Sequence, residues 1–206
     1  MEIIDLINPA FQRKWNDERA GRIGSFGGIV QNQPLLCGGR TPDLKIFNNR
    51  IILRSNQEHQ LIEGRAFSSS VVLNETRLWV SGGQEWKRKN TSEFISLDQP
   101  PEKGPILPFS VSEHRMVKVD SKTIYLIGGL QNNQISENTW IIDPTNNFGF
   151  KEGPKMNNAR CLHSCATMKL NNKIFIVVLG GYPGTGSEIP EILDTSLPTN
   201  KWKLGT

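Results

Sequence analysis

The chain has 206 residues, 36% of them hydrophobic and 21% charged, with a formal net charge of +4. This length can bury a core as one domain, and no apolar run approaches the roughly 18 residues needed to cross a bilayer. The positive charge is modest and spread out, which argues against the concentrated basic footprint of a nucleic-acid binder and leaves no membrane or nucleic-acid partner expected.

In chain order, residues 1–20 open on Glu2-Ile3-Ile4-Asp5, a short apolar stretch ending in an acid, and continue to Trp15. Together these predict a third and a fourth strand of a small sheet, a half-unit without its first two strands. Four copies of a fuller pattern follow, at residues 21–64, 65–110, 111–159 and 160–206. Each copy begins with a partly alternating segment headed by Arg22, Arg65, Val111 or Arg160. Turn formers come next: Gln31-Asn32-Gln33, Asn74-Glu75, Asp120-Ser121-Lys122 and Asn171-Asn172. A second apolar run then ends in a glycine doublet, at Gly38-Gly39, Gly82-Gly83, Gly128-Gly129 and Gly180-Gly181. Two apolar runs split by such residues signal a hairpin. A third apolar stretch ends in an acid at Asp98, Asp143 and Asp194, whereas the first copy has Ile51-Ile52-Leu53. Pro144–Phe148 and Pro198–Trp202 match as turns leading into a fourth strand.

The doublets recur at spacings of 44, 46 and 52 residues. A period in the range of about 40–50 residues is that of a sheet-by-sheet β-propeller, because one small sheet cannot bury both its faces and must be stacked on copies of itself. The glycine pair lets the chain leave its strand at positive φ or pack closely on the next unit.

The pattern resembles the kelch repeat, with its Arg…His strand, its strand ending in Gly-Gly, its strand ending near Asp and its Trp-bearing fourth strand. The resemblance covers nearly all the chain and is cleanest in the third and fourth copies. Departures are Val111 at the Arg position, Ser25 and Ser68 at the His position, and no fourth-strand Trp in the first two copies. It implies an all-β fold of kelch type, four full four-stranded blades plus the N-terminal half-blade. Kelch propellers usually close with five to seven blades, so the ring is expected to be incomplete, with open ends that favour self-association.

Cys161-Leu-His163-Ser-Cys165 has the residue types of a metal site. On a strand, however, its outer members lie roughly 13 Å apart, too far to share a zinc held at about 2.0–2.3 Å. No metal and no cofactor are expected. The glycine-rich stretch 180–187 lacks a Gly-Lys-Ser/Thr ending and a following helix, so it reads as an inter-strand loop. His59, His114 and His163 fall in different copies and no Gly-x-Ser-x-Gly elbow accompanies them. Trp86-Lys87-Arg88-Lys89 stands apart as a loop tryptophan beside three cations, suited either to an interface anchor or to folding back on its own sheet.

The resemblance implies a non-catalytic protein-interaction scaffold, not an enzyme. The loops after the doublets, 40–45, 84–90, 130–136 and 182–188, would form the contact face, since rigid scaffolds present variable loops. Arg40, Trp86, Lys87, Arg88, Asn132, Asn133, Tyr182 and Thr185 are the expected partner-binding residues. The basic ones favour an acidic protein or peptide segment, with a role in a substrate-recognition adaptor or in cytoskeletal binding. The alternative is a sugar-processing kelch enzyme of the sialic-acid mutarotase kind, acting at the channel. Three cysteines, an odd number, fit a reducing compartment, so a cytoplasmic location is expected, with secretion as the alternative.

Overall fold

A computed structural model describes residues 21–53, 55, 57–196 and 201–205, together with the backbone of two short strands nearer the N-terminus. These two, β1 (Glu2–Ile4) and β2 (Gln12–Lys14), pair antiparallel. The rest of the expected half-unit, including Asp5 and Trp15, lies outside the described residues. The fold is all-β, built mainly from four antiparallel four-stranded sheets, each a meander in chain order.

The first sheet is β3 (Phe26–Val30), β4 (Gln33–Cys37), β5 (Asn49–Ile52) and β6 (Gln57–Gln60). The second is β7 (Ser69–Asn74), β8 (Arg77–Ser81), β9 (Ser92–Ile95) and β10 (Glu102–Lys103). A three-stranded ribbon of β11 (Val111–Ser112), β14 (Leu130–Gln131) and β15 (Gln134–Ile135) comes from segments interleaved in sequence with the third sheet. That sheet comprises β12 (Arg115–Lys118), β13 (Ile124–Ile127), β16 (Thr139–Asp143) and β17 (Gly149–Glu152). The fourth is β18 (Ser164–Leu170), β19 (Lys173–Leu179), β20 (Glu191–Asp194) and β21 (Lys203–Leu204), with one kinked helical turn, α1 (Gly184–Ser187), between its second and third strands.

Hairpin chemistry is where the sequence placed it. Gln31-Asn32 and Asn171-Asn172 take left-handed φ values of 48° and 61°, and of 48° and 59°. Paired positive φ is the turn geometry whose twist matches that of the flanking strands. The boundary moves by one residue at Gln33, which already pairs with Val30. Trp202 stands just before β21 rather than within it.

The sheets pack in series, first strand against first strand: β3 beside β7, β7 beside β12, β12 beside β18. Alternation along each strand sends one side-chain set to the preceding sheet and the other to the following one. Leu35 and Cys37 of the first sheet thus meet Leu78, Val80 and Ile95 of the second. Trp79 of the second is fully buried against the third, where Phe148 crosses over to lie 4.8 Å from its ring. Tyr125 and Ile127 of the third meet Ile176, Val178 and Leu193 of the fourth. Each such side chain contributes about 1.5–3 kcal/mol through burial.

The doublets end β4, β8, β13 and β19, with φ of 55° and 90°, 61° and 87°, 58° and 86°, and 64° and 107°. The first glycine in three of them touches the next repeat. A Cβ on Gly38, Gly82 or Gly128 would lie 2.3, 2.4 or 2.5 Å from the carbonyl oxygen of Arg65, Val111 or Arg160. A Cβ on Gly180 would meet nothing within 4 Å. Gly180→Ala should therefore cost about 1–2 kcal/mol from its backbone conformation alone. Gly128→Ala should add a steric clash and cost about 3 kcal/mol or more, among the largest single-site effects. Chemical denaturation of the two variants checks the difference.

Candidate interaction face

Two sets of backbone bonds join the repeats at the doublet end of the sheets. The second glycine of a doublet donates its N–H to the carbonyl at the head of the next repeat: Gly39 to Arg65 at 2.9 Å, Gly83 to Val111 at 2.8 Å, Gly129 to Arg160 at 2.9 Å. Two residues beyond each head runs a second series. Phe67 N–H donates to Gly24 C=O at 2.7 Å, Glu113 to Phe67 at 2.8 Å, and Leu162 to Glu113 at 3.0 Å. All four residues of this seam have positive φ, between 55° and 68°. Their types, Gly, Phe, Glu and Leu, share nothing, so sequence inspection had no signal for the seam except its constant offset.

The repeat-head arginines brace the same corner. Nη1 of Arg22, Arg65 and Arg160 donates to the carbonyl of Gly38, Gly82 and Gly180 at 2.9, 2.7 and 3.1 Å. Buried carboxylates answer two of them: Arg65 Nε lies 2.9 Å from Glu93 Oε1 and Arg160 Nη2 lies 2.8 Å from Glu191 Oε1. Glu93 and Glu191 also accept backbone N–H bonds from Ile62 and Asn157, which fixes the linker entering each repeat. In the third repeat Val111 and Trp140 replace the pair, and Gln131 Nε2 donates to Gly128 C=O at 3.1 Å in the arginine's stead.

The two histidines at the repeat position are fully buried wedges. His114 Cε1 and His163 Cε1 lie 3.0 Å from where a Cβ on Gly82 and Gly128 would stand, and Ser81 Oγ lies 3.2 Å from His114 Nε2. Burial first, then nearby Arg115, pushes both imidazoles down to about 3. Cys37, Cys161 and Cys165 are free thiols, each pushed up to about 12, chiefly by burial. Among the described residues no group of three His, Cys, Asp or Glu side chains is placed to hold a metal ion.

Over this corner lie the loops that follow the doublets. Trp86 is 88% exposed at the tip of a short turn closed by a Gln84–Arg88 bridge, so it does not fold back on its sheet. Of the three cations beside it, two turn inward. Arg88 Nε donates to Ser112 Oγ at 3.2 Å and Nη1 to Asn133 Oδ1, while Lys89 Nζ lies 3.0 Å from Glu63 and 3.2 Å from Glu85. Lys87 is exposed and makes no ion pair among the described residues. Asn132 and Asn133 form the left-handed turn between β14 and β15. Arg40 bridges Ile23 and Ile46, with its guanidinium 5.3 Å from the Phe67 ring. Tyr182, 62% exposed, bridges Cys161, and Thr185 is exposed on α1. The expected residues thus share one end of the sheets. Arg88 and Asn133 meet directly, linking the loops of the second and third repeats, while Tyr182 and Thr185 stand together on the fourth. The loop at 182–188 is fixed by Ser187, whose buried hydroxyl donates to Gly181 C=O at 3.0 Å.

Compared with known proteins, the chain matches no family model and no curated sequence.

The wedge histidines set a pH dependence. Their folded-state values lie below the ordinary 6.5, so the unfolded chain binds more protons between about pH 3 and 6.5, and stability falls as pH drops through that window. At pH 5 the loss should be about 2 kcal/mol per histidine. His163→Gln should lower stability at pH 7 yet flatten the slope between pH 6.5 and 5 by about half, measured as unfolding free energy against pH.

Proposed function

We propose that the chain is part of a kelch-type β-propeller that serves as a non-catalytic interaction scaffold, holding an acidic protein or peptide segment on its doublet-end loops. The propeller reading rests on the serial packing of four meander sheets through their first strands and on the seam running along that axis. The observation that carries the function is Trp86. A large aromatic is left 88% exposed on a turn where Arg88 and Lys89 are fixed by internal bonds. A rigid aromatic with one adjacent free cation is the anchor-and-rim arrangement typical of interface hot spots. Leu44 and Tyr182, 55% and 62% exposed, extend the apolar surface on neighbouring loops.

The sugar-processing alternative would draw on several charged groups over the axis, but the seam positions carry Gly24, Phe67, Glu113 and Leu162. Self-association through the far end fits the exposed Met168, Leu170 and Leu179 on the fourth sheet. No helix among the described residues is long and apolar enough to cross a membrane.

Peptides selected from a displayed library on the wild-type chain test the scaffold reading. Trp86→Ala should weaken their binding by at least about 2 kcal/mol, or roughly thirtyfold, and shift folding stability by less than about 0.5 kcal/mol. Selected peptides that bind the variant as tightly as the wild type would reject this face.

A further inference from the structure

We propose that the cleft between the outer strands of the first and second sheets is a binding site for a small carboxylate, with Arg50 as its cationic anchor. Three arginines are almost completely buried: Arg50, Arg65 and Arg160, at 2%, 1% and 0% exposure. Arg65 and Arg160 each have a glutamate carboxylate within 3 Å. Arg50 forms no ion pair among the described residues. Its Nη2 donates to the carbonyls of Gln99 at 2.9 Å and Leu97 at 3.5 Å, while Nε and Nη1 have no hydrogen-bond partner among the described residues. Buried charges are ordinarily paired, and a buried donor left unused is destabilising.

The residue type is also out of step with the repeats. Arg50 pairs with Cys37, the residue just before its doublet, whereas Ser92 and Thr139 occupy the corresponding places opposite Ser81 and Ile127. A small hydroxyl suffices there in the second and third sheets, so scaffold packing alone does not call for a long cation.

Arg50 forms part of the wall of a cavity of about 530 Å³, within the range of about 300–1,000 Å³ common for small-molecule sites. Ile52, Leu97 and Pro100 supply apolar wall, and Gln57 and Gln60 supply amide donors. Asp98 shares the wall, and Glu93 and Asp98 both act on Arg50 electrostatically. Glu93 is already paired with Arg65, so Arg50's single charge is only partly offset, which favours a ligand with a single negative charge over a dianion. Carboxylate is the anion that arginine's planar donors match best at that charge. The carboxylate can belong to a free short-chain acid or to the C-terminus of a peptide.

Thermal unfolding of the full chain in sodium propionate, against sodium chloride at equal ionic strength, tests this. Propionate should raise the midpoint saturably, and sodium phosphate should do so far less. Acetyl-triglycine set beside its C-terminal amide separates the two sources: a shift with the acid alone identifies a peptide terminus, and a shift with propionate alone identifies a free acid. Arg50→Gln should weaken propionate binding at least tenfold, and Asp98→Asn should strengthen it several-fold. If Arg50→Gln does not fold, Asp98→Asn decides alone. A wild-type midpoint no higher in propionate or acetyl-triglycine than in chloride, an equal response to phosphate, an undiminished response in Arg50→Gln, or an unchanged one in Asp98→Asn would overturn the site.

Discussion

Between each sheet and the next runs a backbone bond from the N–H of the second doublet glycine to the carbonyl that heads the following repeat, at 2.8–2.9 Å in all three cases. It forms only if the chain turns out of its strand at positive φ twice in succession and if the first glycine carries no Cβ to strike that same carbonyl. Everything else at that end of the molecule depends on this close approach. The histidine wedges fit under the glycines, the arginine braces grip the glycine carbonyls, and the seam two residues on brings first strand against first strand. The loops are then delivered to one end because they emerge directly from the doublets.

The braces also show which parts of the corner are interchangeable. Two repeats bury an Arg–Glu pair there, while the third has Val111 and Trp140, with Gln131 capping the glycine carbonyl and accepting a bond from the Trp140 indole at 3.4 Å. A buried ion pair often gains little over apolar residues of similar volume, because desolvation offsets attraction. One chain holding both solutions at one place in its repeat is an instance of that balance. The requirement common to all four repeats is a donor for the first glycine's carbonyl.

The architecture was legible because its constraints fall on residue type. Positive φ selects Gly and Asn, so the doublets and the Gln31-Asn32 and Asn171-Asn172 turns announced themselves. Apolar alternation announced the strands, and burial of Trp79 followed from its place on β8. The seam was not legible, since Phe67, Glu113 and Leu162 contribute only backbone to it. Nor was Arg50, because an arginine in a short strand reads as a surface residue until the neighbouring sheet is in place. Among the loop residues the sequence identified the segment but not the division of labour: Arg88 and Lys89 serve the scaffold, and Trp86 and Lys87 face outward. The third strands began one or two residues earlier than their apolar runs, because Ser92, Thr139 and Glu191 pair before the run begins.

Amide hydrogen exchange on the native chain tests the stitched corner most directly. The N–H groups of Gly39, Gly83 and Gly129 should be protected to nearly the free energy of global unfolding, since breaking any one of them means separating two sheets. The Gly181 N–H, which meets no following repeat among the described residues, should exchange orders of magnitude faster. Equal protection at all four glycines, or fast exchange at Gly83 and Gly129, would contradict the account.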